Sequence, residues 1–293
     1  MSTPKVTLER PLAKPPLPTL IWRHVELRVR KATSSMRALP DFVIAGAQKC
    51  GTSSMHQYFL QHPCLLPASI KEVHFFDGGL DPNWDKYAEG ETLYRSYFPL
   101  RSRVNRKNAL CFEASPDYIF NPVAAERMAQ IIPNAKIVVL LRDPVERAIS
   151  HYFHERRRGR ETECIEIAFA RENERLAVPM EQRAYKDTVF INQSYKLRGR
   201  YAEQLELLYR HFPVENVLVI ESEAFFEEPM TSLEQVLAFV GMESFPVTID
   251  VKPTGKGANR TEVPNSIRDH LSDYFSEPNE ALADLLGRRF RWM

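Results

Sequence analysis

Four short runs of apolar residues punctuate the chain: Asp41-Phe-Val-Ile-Ala45, Ala109-Leu-Cys-Phe112, Lys136-Ile-Val-Val-Leu-Leu141 and Asn216-Val-Leu-Val-Ile220. None alternates with polar residues. Unbroken apolar runs of this length belong to parallel strands covered by helices on both faces. Helices are predicted over Thr52–Gln61, Val145–Arg158, Cys164–Leu176, Ser194–His211, Met230–Val240, Ser266–Phe275 and Asn279–Leu286. Strands alternating with helices make an α/β fold: a P-loop-like, doubly wound sheet, mainly parallel, with helices on both faces. One stretch differs. From His24 to Lys31, Val25, Leu27 and Val29 alternate with Glu26, Arg28 and Arg30, which predicts a short strand or extended arm.

Composition adds a division between residues 1–39, a basic, proline-rich arm, and a body spanning 40–293. Residues 1–40 hold eight Lys/Arg against Glu9 and Glu26, whereas the whole chain carries a net charge of only +1. The body is therefore slightly acidic, which argues against nucleic acid as a partner. The arm suits contact with a partner or a membrane surface. No apolar run approaches the ~20 residues of a membrane span, and Pro11, Pro15, Pro16 and Pro18 interrupt any secretory h-region. Cys50, Cys64, Cys111 and Cys164 form no CxxC pair, so free thiols and a cytoplasmic location are expected.

The chemistry concentrates after the first strand, in Gly46-Ala-Gln-Lys49-Cys50-Gly51-Thr52-Ser53-Ser54. Glycines let successive N–H groups converge on an anion, and the following helix adds its N-terminal partial charge. Lys49 adds a full charge and the hydroxyls add donors. An ordinary glycine-containing βα turn is the plainer alternative. The order is not that of a Walker A loop, where Gly precedes Lys and a magnesium-binding Ser/Thr follows it. After the third run, Arg142-Asp143-Pro144 opens a helix on which Ser150 lies about two turns along. Arg142 and Ser150 could clamp a second phosphate. A rival assignment makes Asp143 a metal ligand and the protein a P-loop kinase or hydrolase.

Gln48-Lys-Cys-Gly-Thr-Ser-Ser54 paired with Leu141-Arg-Asp-Pro144 and Ser150 resembles the sulfotransferases that use 3′-phosphoadenosine 5′-phosphosulfate (PAPS). Lys71-Glu-Val-His-Phe-Phe-Asp77 and the ending around Asp273–Asn279 and Trp292 are similar to the heparan sulfate branch. The resemblance implies a transfer of a sulfuryl group from PAPS, leaving PAP, to a hydroxyl or amine without a metal. It implies Glu72 as general base, His74 beside it, Lys49 on the leaving phosphate, and Lys256 and Gly257 on the nucleotide. It also nominates Arg198, Gly199 and Tyr201 as secondary contacts. The acceptor would be a carbohydrate, glycolipid or secondary metabolite, with residues 78–108 building its cleft. One departure stands out: where animal heparan sulfate 3-O-sulfotransferases place a lysine after the corresponding Glu113, this chain has Ala114. A non-catalytic PAP-binding protein is the remaining alternative.

Overall fold

The computed structural model describes residues 17–242, 250 and 263–293. Lys256 and Gly257 lie outside the described residues. Five strands form one sheet: β1 (Phe42–Gly46), β2 (Leu65–Pro67), β3 (Leu110–Ala114), β4 (Lys136–Leu141) and β5 (Val217–Glu221). Their order is β2-β3-β1-β4-β5, and every adjacent pair is parallel. β1 is buried along its whole length, as a strand covered on both faces must be. Phe42 stacks on Phe112 of β3 at 5.2 Å and meets Phe59 edge-on at 5.8 Å. Each such fully buried ring or aliphatic chain contributes roughly 1.5–3 kcal/mol relative to exposure.

The helices, in chain order, begin with α1 (Leu17–Ala32), α2 (Thr52–Phe59), α3 (Gly90–Ser96), α4 (Arg101–Lys107) and α5 (Ala124–Ile131). Then come α6 (Pro144–Arg157), α7 (Ile165–Ala170), α8 (Glu172–Glu181), α9 (Thr188–Gln193) and α10 (Tyr201–Tyr209). α11 (Ser222–Glu227), α12 (Pro229–Phe239) and α13 (Asn265–Leu286) complete the set among the described residues. The chain leaves β1 for one side of the sheet, returns in β3, and then crosses to β4 on the other side. Such a reversal opens a crevice at the C-terminal ends of β1, β3 and β4.

Several elements depart from the sequence reading. The alternating stretch at 24–31 is helical, within α1, because Leu27 alone packs on the core while Val25 and Val29 face outward. Leu, Arg, Glu, Lys and Ala favour a helix, and a short alternation fits either state. The predicted Ser194–His211 helix is broken: a 3₁₀ turn at Leu197–Gly199 precedes α10. The predicted Cys164–Leu176 helix divides at Arg171 into α7 and α8. Conversely, Ser266–Phe275 and Asn279–Leu286 are one helix, α13, running through Pro278. Leu271, Phe275 and Leu282 bury one face across the proline, which outweighs the lost hydrogen bond. Residues 78–108 include a 3₁₀ turn at Lys86–Glu89 as well as α3 and α4, and Leu80 is their one described side chain lining the crevice.

The 3₁₀ turn sits where packing leaves no room for a side chain. A Cβ at Gly199 would lie 2.6 Å from the Phe275 ring and 3.0 Å from Pro144. Gly199→Ala is therefore expected to lower stability by about 1–3 kcal/mol, read as a lower urea midpoint. An unchanged midpoint would show that the turn can move away from α13.

Candidate active site

The crevice is a cleft of about 940 Å³. Lys49, Gly51, Thr52, Ser53 and Ser54 line it from the loop and the start of α2, and Arg142 and Ser150 line it from β4 and α6. Thus the two anion-binding segments nominated by sequence share one cavity. α2 presents its N-terminal turn, where the first N–H groups of a helix have no carbonyl within it. Gly51 makes that start possible with φ 96°, and a Cβ there would press on the Phe226 ring at 3.0 Å. Arg142 Nη1 donates to the Lys49 carbonyl at 3.4 Å, so the two basic residues are neighbours. Burial, then the charges of Arg157, Arg142 and Arg158, pull the Lys49 ammonium down to about 8. A bound anion would relieve such a crowd of like charges.

Cys50 behaves differently from the rest of its loop. Its side chain is buried against Tyr201, 3.8 Å from the hydroxyl, and burial pushes the thiol up to about 11. Its thiol therefore faces the core and not the cleft. Tyr201 is likewise internal: its hydroxyl donates to the Arg142 carbonyl at 2.9 Å and so ties the two anion segments together. Asp143, the candidate metal ligand, caps α6 by accepting from Val145 N at 2.9 Å.

Glu72 and His74 line the same cleft. Both are left-handed, with φ 59° and 50°, as is Lys49 at 72°. Non-glycine residues held there cost about 1–3 kcal/mol each and cluster at functional sites. The His74 Nδ1 donates to Asp77 Oδ2 at 2.5 Å, and its Nε2 lies 3.8 Å from Glu72 Oε2. Burial pulls the imidazole down, but the Asp77 hydrogen bond and the Glu72 and Asp117 charges outweigh it and hold it at about 10. In turn the His74 cation, with Lys71 paired to the other oxygen, holds Glu72 at about 2 against its own burial. Asp117 is paired with the buried Arg198. The donor atoms of His74, Asp77 and Asp117 lie within 4.8 Å of one another, and the imidazolium and the Arg198 guanidinium balance the two acids.

Sequence reasoning missed what supports this loop. Glu113 is wholly buried, accepts from Tyr94 at 2.5 Å and from Ser115 at 2.9 Å, and is pushed up to about 7 by burial. Ser115 Oγ accepts from His74 N at 3.3 Å, and the Tyr118 hydroxyl accepts from Phe75 N at 2.9 Å. The available signal was Glu113-Ala-Ser-Pro116, which ends a strand beside the family's motif.

A helix N-terminus with a lysine, a second basic pocket on the next strand and a carboxylate in the same cleft define a transferase acting on a phosphorylated donor. Residues 39–272 match the family described as "Sulfotransferase domain", and the chain belongs to it: this is a sulfotransferase. The crystal structure of a sulfotransferase from Alicyclobacillus acidocaldarius is similar with TM-score 0.66 and 31% identity, covering 87% of this chain and 99% of that one. The mouse bifunctional heparan sulfate N-deacetylase/N-sulfotransferase 4 is 28% identical over 91% of this chain and 32% of its own length. The membrane-associated sulfotransferase kil1 of Dictyostelium discoideum is 25% identical over 87% of this chain and 66% of its own. The chain spans about a third of the mouse relative.

The charge states have a direct readout. The raised His74 contributes stability that is complete below the ordinary value of 6.5 and is lost as pH rises through about 10. The depressed Glu72 contributes above 4.5, and that stability is lost as pH falls through about 2. In NMR titrations, the His74 ring signals, assigned by comparison with His74→Gln, should stay flat between about pH 5 and 8. In Asp77→Asn they should titrate at lower pH than in the native protein. A native His74 midpoint near neutrality would contradict the arrangement.

Proposed function

We propose that the enzyme transfers the sulfuryl group of PAPS to a hydroxyl or amine of a carbohydrate acceptor, with Glu72 as the general base and Lys49 at the leaving phosphate. A glycolipid or a secondary metabolite carrying the same group is served by the same chemistry. The observation that carries this reading is that Lys49, Arg142, Ser150 and Glu72 all line one cleft. The heparan sulfate relatives support a sugar amine or hydroxyl.

The reaction is an in-line displacement at sulfur. The acceptor oxygen or nitrogen forms a bond to sulfur, the bond from sulfur to the bridging phosphate oxygen breaks, and PAP departs. Negative charge grows on that oxygen, where Lys49 and the N-terminal turn of α2 meet it. Groups aimed at developing charge supply the largest share of most rate enhancements. Glu72 receives the acceptor proton. Held at about 2 by His74 and Lys71, it is a weak base toward a ground-state hydroxyl. Proton transfer therefore follows bond formation to sulfur, which acidifies the acceptor. An acceptor that displaces Lys71 also strengthens the base. His74, fixed by Asp77, orients Glu72.

Two measurements test this. Lys49→Ala should lower kcat by ~10²–10³, and Glu72→Gln should abolish transfer while PAP binding by calorimetry persists. Normal turnover in Glu72→Gln removes it from the base role. Second, because Lys49 sits at about 8 in the free enzyme, a bound polyanion must raise it. Above about 8, PAP binding should take up a proton and weaken with pH. Calorimetry in buffers of different ionisation heat measures that proton, and Lys49→Arg should eliminate it. Proton uptake that persists in Lys49→Arg assigns the effect to another group.

A further inference from the structure

The described side chains of α1 divide between a face packed on the body and a face exposed to solvent. Leu27 packs on the core, Arg30 donates to the carbonyls of Ser96 at 2.6 Å and Tyr97 at 3.1 Å, and Lys31 pairs with Glu89 at 3.1 Å. On the other side Trp22, Val25 and Val29, spaced i, i+3, i+7, are 68%, 49% and 56% exposed. These positions share one helical stripe. Arg28 is exposed next to them, and Glu26 is ion-paired with Arg30. Met36, just beyond the helix, is 59% exposed.

A second feature adjoins the Met36 turn. α4 has four basic residues and no acid in seven positions, and Arg101, Arg103, Arg106 and Lys107 are all exposed. Arg101 donates to the Ser35 carbonyl, and Arg37 bridges to Leu100, so the basic helix and the Met36 turn form one surface.

We propose that α1 and α4 form a docking surface for an anionic lipid bilayer. The Trp22–Val25–Val29 stripe enters the headgroup region, and Arg28, Arg103, Arg106 and Lys107 meet lipid phosphates. An apolar helical face with a tryptophan and flanking arginines has the composition of an interfacial helix, and charge complementarity selects anionic lipid. A second copy of the chain fits poorly, because a two-fold contact would set these like charges against each other.

The test is flotation of the full chain with neutral phosphatidylcholine vesicles and with vesicles enriched in phosphatidylglycerol. Binding is expected to the anionic vesicles, to weaken with added salt, and to fall at least ~10-fold in a Trp22→Glu/Val29→Glu double variant. Arg103→Glu/Arg106→Glu should erase the preference for anionic lipid. Both variants should retain PAP binding by calorimetry, which shows that they fold. Absence of flotation, equal recovery on both vesicle types, or native-like flotation of the Trp22→Glu/Val29→Glu chain overturns the proposal. So does a native dimer in sedimentation that the same double variant dissociates, since a second copy then covers the stripe.

Discussion

Lys49 and Gly51 both turn through left-handed backbone, and the loop sustains those turns because it is tied down on three sides. Ala47 N donates to the Leu140 carbonyl at 2.8 Å, which joins the loop to β4. Ser222 Oγ donates to the Cys50 carbonyl at 2.9 Å, which joins it to the end of β5. Tyr201, from α10, touches both Cys50 and Arg142. A left-handed lysine costs about 1–3 kcal/mol, and these buried bonds, each worth about 1 kcal/mol, offset it. The consequence is preorganisation: the ammonium and the N-terminal turn are aimed before a donor arrives, so little reorganisation remains for the reaction step.

The cleft separates its charges by wall, and two histidines report the division. His154 lines the basic side, where burial and then Lys49, Arg158 and Arg157 push it down to about 3. His74 lines the acidic side, where three carboxylates overcome the same burial penalty and hold it at about 10. One residue type is thus held down by burial and neighbouring cations at one position, and held up by hydrogen bonds and neighbouring carboxylates at the other. The arrangement suits a reaction in which a polyanionic donor and a proton-losing acceptor meet. The donor needs cations that are already crowded together, and the acceptor needs a carboxylate fixed by a cation that does not itself carry the proton away.

Much of this was legible in the chain. The runs at 42–46 and 136–141 are apolar because strands covered on both faces must be. Gly51, Thr52 and Arg142 advertised the anion sites because backbone turns and helix starts impose local residue choices. What failed was everything set by distant contacts. β2, three residues at Leu65–Pro67, is too short for any periodicity. The outward stripe of α1 imitated a strand because its partner face is polar backbone at 96–98 and not a hydrophobic row. Pro278 was read as a break, although burial on both sides of it holds α13 continuous. Cys50 and Tyr201 were assigned by motif and neighbourhood, yet only the fold shows that their side chains face each other inside. Glu113 gave no sign that its carboxyl is buried under three hydroxyls.

That buried glutamate gives meaning to the one departure at Ala114. Ala114 is itself buried, and its carbonyl accepts from Glu72 N at 3.0 Å. The backbone contact that holds Glu72 is thus supplied by a methyl-bearing residue that does not line the cleft. The positive charge a lysine would bring beside Glu72 comes from Lys71, whose ammonium pairs with the Glu72 carboxylate. Lys71 is adjacent to Glu72 in sequence and partly exposed, whereas a lysine at position 114 would start from a buried site in β3.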